Sequence, residues 1–122
     1  MSRLTGIAPQ FLVGDLDLAT AYYRDRLGFE LDFVYESFYA SVGRDGFAIH
    51  LKHGSSALDR EQRKHGEHLD AFISVSGLRE LYAELQRRGA QVIRPLEERP
   101  WATIDFYVQD CDGYVLCFSE RL

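Results

Sequence analysis

Apolar residues recur along the chain in two rounds of one pattern. Residues 7–13 form an apolar run broken by Pro9. Proline cannot donate to a strand ladder, so this strand is expected at a sheet edge or crossing between subunits. Gly14 and Asp15 turn the chain, and Asp15 suits a helix N-cap because its carboxylate can accept from the first free amides. Leu16, Ala19, Tyr22, Tyr23 and Leu27 repeat at helical spacing, which predicts an amphipathic helix over 16–27 stopped by Gly28. Three strands are expected next, over 29–36, 38–43 and 47–53. In the last, Phe47, Ile49 and Leu51 alternate with Ala48, His50 and Lys52, and Arg44-Asp45-Gly46 supplies the hairpin turn before it.

Residues 54–67 are polar and charged and read as an exposed loop. The pattern then returns. Residues 68–75 alternate, with Ala71, Ile73 and Val75 on one face. Leu78, Leu81, Tyr82 and Leu85 mark a helix over 77–88 stopped by Gly89. Strands over 91–96, 103–108 and 114–119 complete the round, with a turn at Asp110-Cys111-Asp112-Gly113 between the last two.

Each half thus reads strand–helix–strand–strand–strand, an internal repeat that decides the fold class. The expectation is an α+β fold: two βαβββ modules, about 1–53 and 68–122, forming a curved, mostly antiparallel sheet. Helices would cover its convex side, and a concave groove would remain on the other. All of 1–122 would form one domain.

Composition narrows the function. The net charge is −5 and no run of Lys or Arg forms a stripe, so nucleic acid is not an expected partner. No stretch approaches the ~20 apolar residues that span a bilayer, and no membrane partner is expected. Cys111 and Cys117 form no CxxC pair, which suits a reducing, cytoplasmic location. Ser74 and Ser119 lie near no evident His–Asp pair, so a hydrolase triad has no support.

Several stretches resemble the vicinal-oxygen-chelate superfamily, which includes glyoxalase I and the bleomycin-resistance proteins. In the first half they are Val13-Gly14-Asp15-Leu16, Tyr22-Tyr23-Arg24 and Arg26-Leu27-Gly28-Phe29. In the second they are Leu81-Tyr82-Ala83-Glu84-Leu85, Arg88-Gly89-Ala90 and the Asp110–Gly113 turn. Arg99-Pro100-Trp101 leading to Phe106 is similar to the Pro-Trp segment of the small bleomycin-binding resistance proteins. That resemblance implies a homodimer with an exchanged N-terminal strand. It also implies a small-molecule ligand held without chemical change in a groove at the dimer interface.

The enzyme branch of the superfamily holds a divalent metal with one ligand from each of four strands. By position those places are Ala8, His50, Asp70 and Cys117. Ala8 cannot ligate, and Cys replaces a harder donor, so no cofactor is expected. His50, Asp70 and Cys117 remain the candidates for a metal-dependent lyase, isomerase or dioxygenase, the alternative function. The preferred reading is a non-catalytic protein that sequesters a planar, cationic molecule, as the antibiotic-resistance proteins it resembles do. Trp101 would stack on the ligand, or else pack under its loop. Asp32, Phe33, Glu36 and Phe38 make an acidic–aromatic cluster with Tyr39. Alternation would split Phe33 from Asp32 across the strand, without saying which points inward. His50, Lys52 and Asp105 complete the expected ligand contacts.

Overall fold

The computed structural model of the chain describes residues 1–54, 60–65 and 68–122. The first round of the pattern becomes one sheet and one helix. Strand β1 (Gln10–Val13) leads into helix α1 (Leu16–Arg26), and β2 (Glu30–Tyr35), β3 (Tyr39–Arg44) and β4 (Phe47–His53) follow. The sheet order is β1-β4-β3-β2, with β1 parallel to β4 and the other pairs antiparallel. A short helix, α2 (Arg60–His65), precedes the second round of β5 (Ala71–Ser74), α3 (Leu78–Arg87), β6 (Gln91–Arg99), β7 (Thr103–Gln109) and β8 (Val115–Arg121). Its sheet order, β5-β8-β7-β6, repeats the first, again with one parallel pair.

The local signals act where expected. The Asp15 carboxylate accepts from Leu18 N at 3.0 Å. Gly28 (φ 73°) and Gly89 (φ 80°) follow the helix ends in the left-handed region that a side chain disfavours. Several bounds differ from expectation by one to three residues, and three departures have a clear cause. β1 begins at Gln10 because Pro9 brings no N–H, although the Pro9 carbonyl still accepts from His50 N at 2.9 Å. β6 runs on through Pro95 to Arg99, which an edge strand tolerates. The segment expected as an exposed loop contains α2, and its residues 55–59 and 66–67 lie outside the described residues. A six-residue polar helix is too short to hold itself. Tertiary contacts of Arg63 anchor it, to the Asp70 carboxylate and over the Tyr114 ring, 5.9 Å from its centroid.

Each sheet turns one face, here called the near face, toward its helix. Phe11, Val13, Ala40, Val42, Ile49 and Leu51 meet Leu16, Ala19 and Tyr23 of α1, while Ile104, Phe106, Val108, Leu116 and Phe118 meet Leu78 and Leu85 of α3, and all join one core. Phe47 shares the alternation of Ile49 and Leu51 but starts its strand beyond the helix and is 79% exposed. The modules are joined by polar contacts as well. Tyr114 stacks on Phe11 with centroids 4.2 Å apart, accepts from Leu12 N at 2.9 Å and donates to Leu12 O at 2.8 Å. Arg44 donates to both oxygens of Glu84, at 2.9 and 2.8 Å.

Candidate functional site

The opposite, far face of the first sheet gathers most of the residues singled out from sequence. Alternation along β3 and β4 places Tyr39, Ser41, Gly43, His50 and Lys52 there. In β2, Leu31 pairs with Val42 and Phe33 with Ser41, which leaves Asp32 as an extra residue. This bulge corrects the expected split, because both side chains reach the far face. Ser41 Oγ donates to Asp32 Oδ2 at 2.9 Å. A side chain at Gly43 would put its Cβ 2.7 Å from that same oxygen, so the glycine makes room for the carboxylate.

Phe33 lies parallel to Tyr39, with centroids 6.4 Å apart and planes at 6°, and edge-on to His50 at 6.2 Å. The Tyr39 hydroxyl donates to Gln10 Oε1 at 3.0 Å and lies 2.8 Å from His50 Nδ1. Phe38 meets Tyr39 and Tyr35 edge-on, at 6.4 and 5.7 Å. These rings are open to solvent, with Phe33 47%, Tyr35 57% and Phe38 39% exposed. Lys52 stands opposite Tyr39 in the ladder and is exposed. Glu36 sits at the hairpin tip with φ 47°, exposed. A cleft of about 580 Å³ opens beside this face, lined by Asp32, Gly43, Arg44, Phe47, Glu84 and Arg88 among others.

Trp101 and Asp105 belong to the second sheet. Trp101 lies in the turn between β6 and β7 and is 69% exposed, so it does not pack under its loop. Asp105 is buried on the far face and accepts from Arg99 Nε at 2.9 Å, so its charge is already matched. Gln10, Ser41, Arg94 and Tyr107 were not anticipated. Strand alternation could have found Gln10 and Ser41. Arg94 lies over the Tyr107 ring, its Cζ 5.1 Å from the centroid, and that contact depends on bulges in β6 that composition does not announce.

Of the metal-ligand positions, His50 lies in β4, Asp70 just ahead of β5, and Cys117 in β8. Asp70 Oδ2 accepts from Val115 N at 2.8 Å, and its other oxygen faces Arg63 and His68 Nε2, the latter at 3.2 Å. Cys117 is buried, and that burial pushes its thiol up to about 12, away from the thiolate that binds metal. Among the described residues, no three His, Cys, Asp or Glu side chains are grouped so as to hold an ion.

Residues 7–118 match the model of the Glyoxalase/Bleomycin resistance protein/Dioxygenase superfamily. The chain belongs to this superfamily. Among the curated proteins none matches the sequence. Solved structures share the superfamily fold at low identity. TioX from Micromonospora sp. ML1 is 19% identical, with 97% of this chain and 99% of that chain covered at a TM-score of 0.75. A glyoxalase-related enzyme from Clostridium phytofermentans is 18% identical, with 99% and 98% covered at 0.81. The bleomycin-binding protein of bleomycin-producing Streptomyces verticillus, complexed with copper(II)-bleomycin, is 23% identical, with 97% of each chain covered at 0.74. A binding protein and a glyoxalase-related enzyme thus stand on one fold, so the chemistry of this member has to be argued from its own side chains. Among the described residues no helix is long and apolar enough to cross a membrane.

Proposed function

We propose that this superfamily member is a non-catalytic binding protein that sequesters a planar, cationic small molecule, as the bleomycin-binding proteins of similar fold bind bleomycin. One observation carries the reading. Phe33, exposed on the far face, lies parallel to the half-buried Tyr39 beside an Asp32 carboxylate held by Ser41. A flat conjugated ring gains stacking from such a wall, and a cation gains about 0.5–2 kcal/mol more from ring faces. Asp32 supplies the counter-charge. The metal-dependent alternative loses support because Asp70 is held by Arg63 and Val115 N, and Cys117 is buried as thiol.

The site is completed in a homodimer, where a second copy encloses the open far face. β1 itself pairs with β4 of its own chain. The exchanged segment is therefore the arm ahead of Gln10, on which Leu4 and Ile7 are 98% and 99% exposed.

Trp101, the sole tryptophan, reports on binding. Titration with bleomycin should quench its fluorescence at micromolar concentration or below. An unchanged signal, with no heat of binding by calorimetry, refutes the reading. Stoichiometric divalent metal in protein purified without chelators would restore the enzyme alternative.

A further inference from the structure

Asp32 is held by a neutral group, where other carboxylates of the sheets and helices face cations. Asp105 meets Arg99, with Nε 2.9 Å from Oδ1, and Glu84 meets both Arg44 and Arg88 at 2.8 Å. Among the described residues the Asp32 carboxylate makes one hydrogen bond, from Ser41 Oγ to Oδ2 at 2.9 Å, and no ion pair. A carboxylate can accept about four hydrogen bonds. Most of that capacity is left for another donor.

Ser41 and Gly43 fix where the carboxylate lies. Both stand on β3, which pairs with β2 on one side and β4 on the other, so the anchor is an inner strand and not a loop. Ser41 is 2% exposed. Water hardly competes for its hydroxyl proton, which stays on Asp32. At Gly43 a Cβ would stand 2.7 Å from Oδ2 and 3.0 Å from Oδ1. The carboxylate thus lies over Gly43 because no side chain is there. Asp32 and Gly43 both line the cleft of about 580 Å³, so a ligand group has room to reach them. Phe33, the next residue, carries the exposed ring of the stacking wall.

We propose that Asp32, positioned by Ser41 and Gly43, selects ligands whose cation donates N–H: an ammonium, amidinium or guanidinium group beside the planar ring, and not a quaternary ammonium. This rests on the reading above, that the far face takes a planar cation, and it names the class of that cation. A quaternary ammonium carries the same charge, but its methyl groups keep it from the oxygens and leave it mainly the ring faces. Ser41 and Gly43 are positioning residues that act through Asp32.

The test uses the full chain at pH 7 and three naphthalene probes in calorimetric titrations: 2-naphthylmethylammonium, its N,N,N-trimethyl form and the neutral 2-naphthylmethanol. The primary ammonium should bind about fivefold more tightly than either of the others, as an exposed charge pair implies. Asp32→Asn should abolish that preference. Ser41→Ala and Gly43→Ala should each remove most of it while the thermal melt shows a folded protein, and Ser41→Thr, which keeps the hydroxyl, should retain it. A purely structural role would weaken all three probes together and leave their ratio unmoved. Equal binding of the primary and quaternary probes to the wild type overturns the proposal. So does a preference that survives in Asp32→Asn, which would then come from probe size. An undiminished preference in Ser41→Ala removes the positioning role, and that variant decides alone if Gly43→Ala does not fold. Phe33→Ala separates the two readings. Loss of affinity for all three probes with the preference intact supports the stacking wall. No loss defeats the wall and leaves selection by Asp32 standing. Binding of no probe at millimolar concentration defeats both.

Discussion

The Tyr23 hydroxyl donates to Asp110 Oδ2 at 2.6 Å, and neither side chain reaches solvent. The bond joins α1 of the first module to the turn between β7 and β8 of the second. The other Asp110 oxygen accepts from Asp112 N and Tyr114 N, both at 2.9 Å. Gly14 N donates to Asp112 Oδ1 at 3.1 Å. The turn that marks the superfamily in sequence is thus the latch between its two halves. Tyr23→Phe keeps the ring and removes one donor from a buried carboxylate. It should lower unfolding stability by about 1–3 kcal/mol in urea denaturation, without changing the m-value.

Burial raises the Asp110 carboxyl to about 6, against hydrogen bonds that favour its charged form. The sign follows from proton linkage. Between its ordinary value and about 6, the folded state binds more protons at this group than the unfolded state. This contribution therefore falls as pH rises through that window. A ¹³C carboxyl titration of Asp110 should have its midpoint near 6. A midpoint at or below 4 would contradict the burial argument.

Glu84 works in the opposite direction. Hydrogen bonding from Arg44, and then from Arg88, lowers its carboxyl to about 2. A depressed acid contributes stability above its unfolded value, and that contribution is lost as pH falls toward 2. Glu84→Gln leaves two arginines without their shared counter-charge and should cost about 1–2 kcal/mol at pH 7, discounted for partial exposure. The difference between wild type and variant should shrink when denaturation is repeated at pH 3.

Trp101 and Asp32 separate binding from folding. Trp101 is largely exposed, so Trp101→Ala should shift stability by no more than about 0.5 kcal/mol. Its affinity for bleomycin, read by calorimetry, should fall by tenfold or more. Asp32→Asn should weaken a cationic ligand by a similar factor and leave a neutral analogue unaffected. Equal loss for both ligands would mean that Asp32 shapes the strand rather than supplying charge.

The arm ahead of β1 tests the dimer. Leu4→Asp with Ile7→Asp alters two side chains that touch nothing in their own chain's core. Sedimentation should show a dimer for the wild type and a folded monomer for the variant. A monomeric wild type removes the proposed enclosure of the site.

Much of this was legible beforehand. The repeat, both main helices and all eight strands follow from periodicity, and the turns at 44–46 and 110–113 follow from their residue types. Periodicity works in elements such as β1, β4 and α3, where a near face buries alternate strand residues or one helix stripe and burial imposes the pattern locally. The site was legible in part. Asp32, Phe33, His50 and Lys52 do share one module face, with Phe38 edge-on to Tyr39 at its end. Asp105 is met by Arg99 from across a hairpin, and Asp70 by Arg63 from a helix with no apolar stripe, and the sequence pattern announces neither contact.

By itself the sequence determined the order of elements and the residues of the core, since both depend on neighbours a few positions away. Only the tertiary structure decided which side chains meet on the far faces. A single extra residue in β2 brings Asp32 beside Phe33, and another in β6 lays Arg94 on Tyr107. Such a bulge changes no composition and breaks no hydrophobic run. It is settled when an edge strand accommodates its register to the strand beside it, and that register depends on packing across the whole sheet.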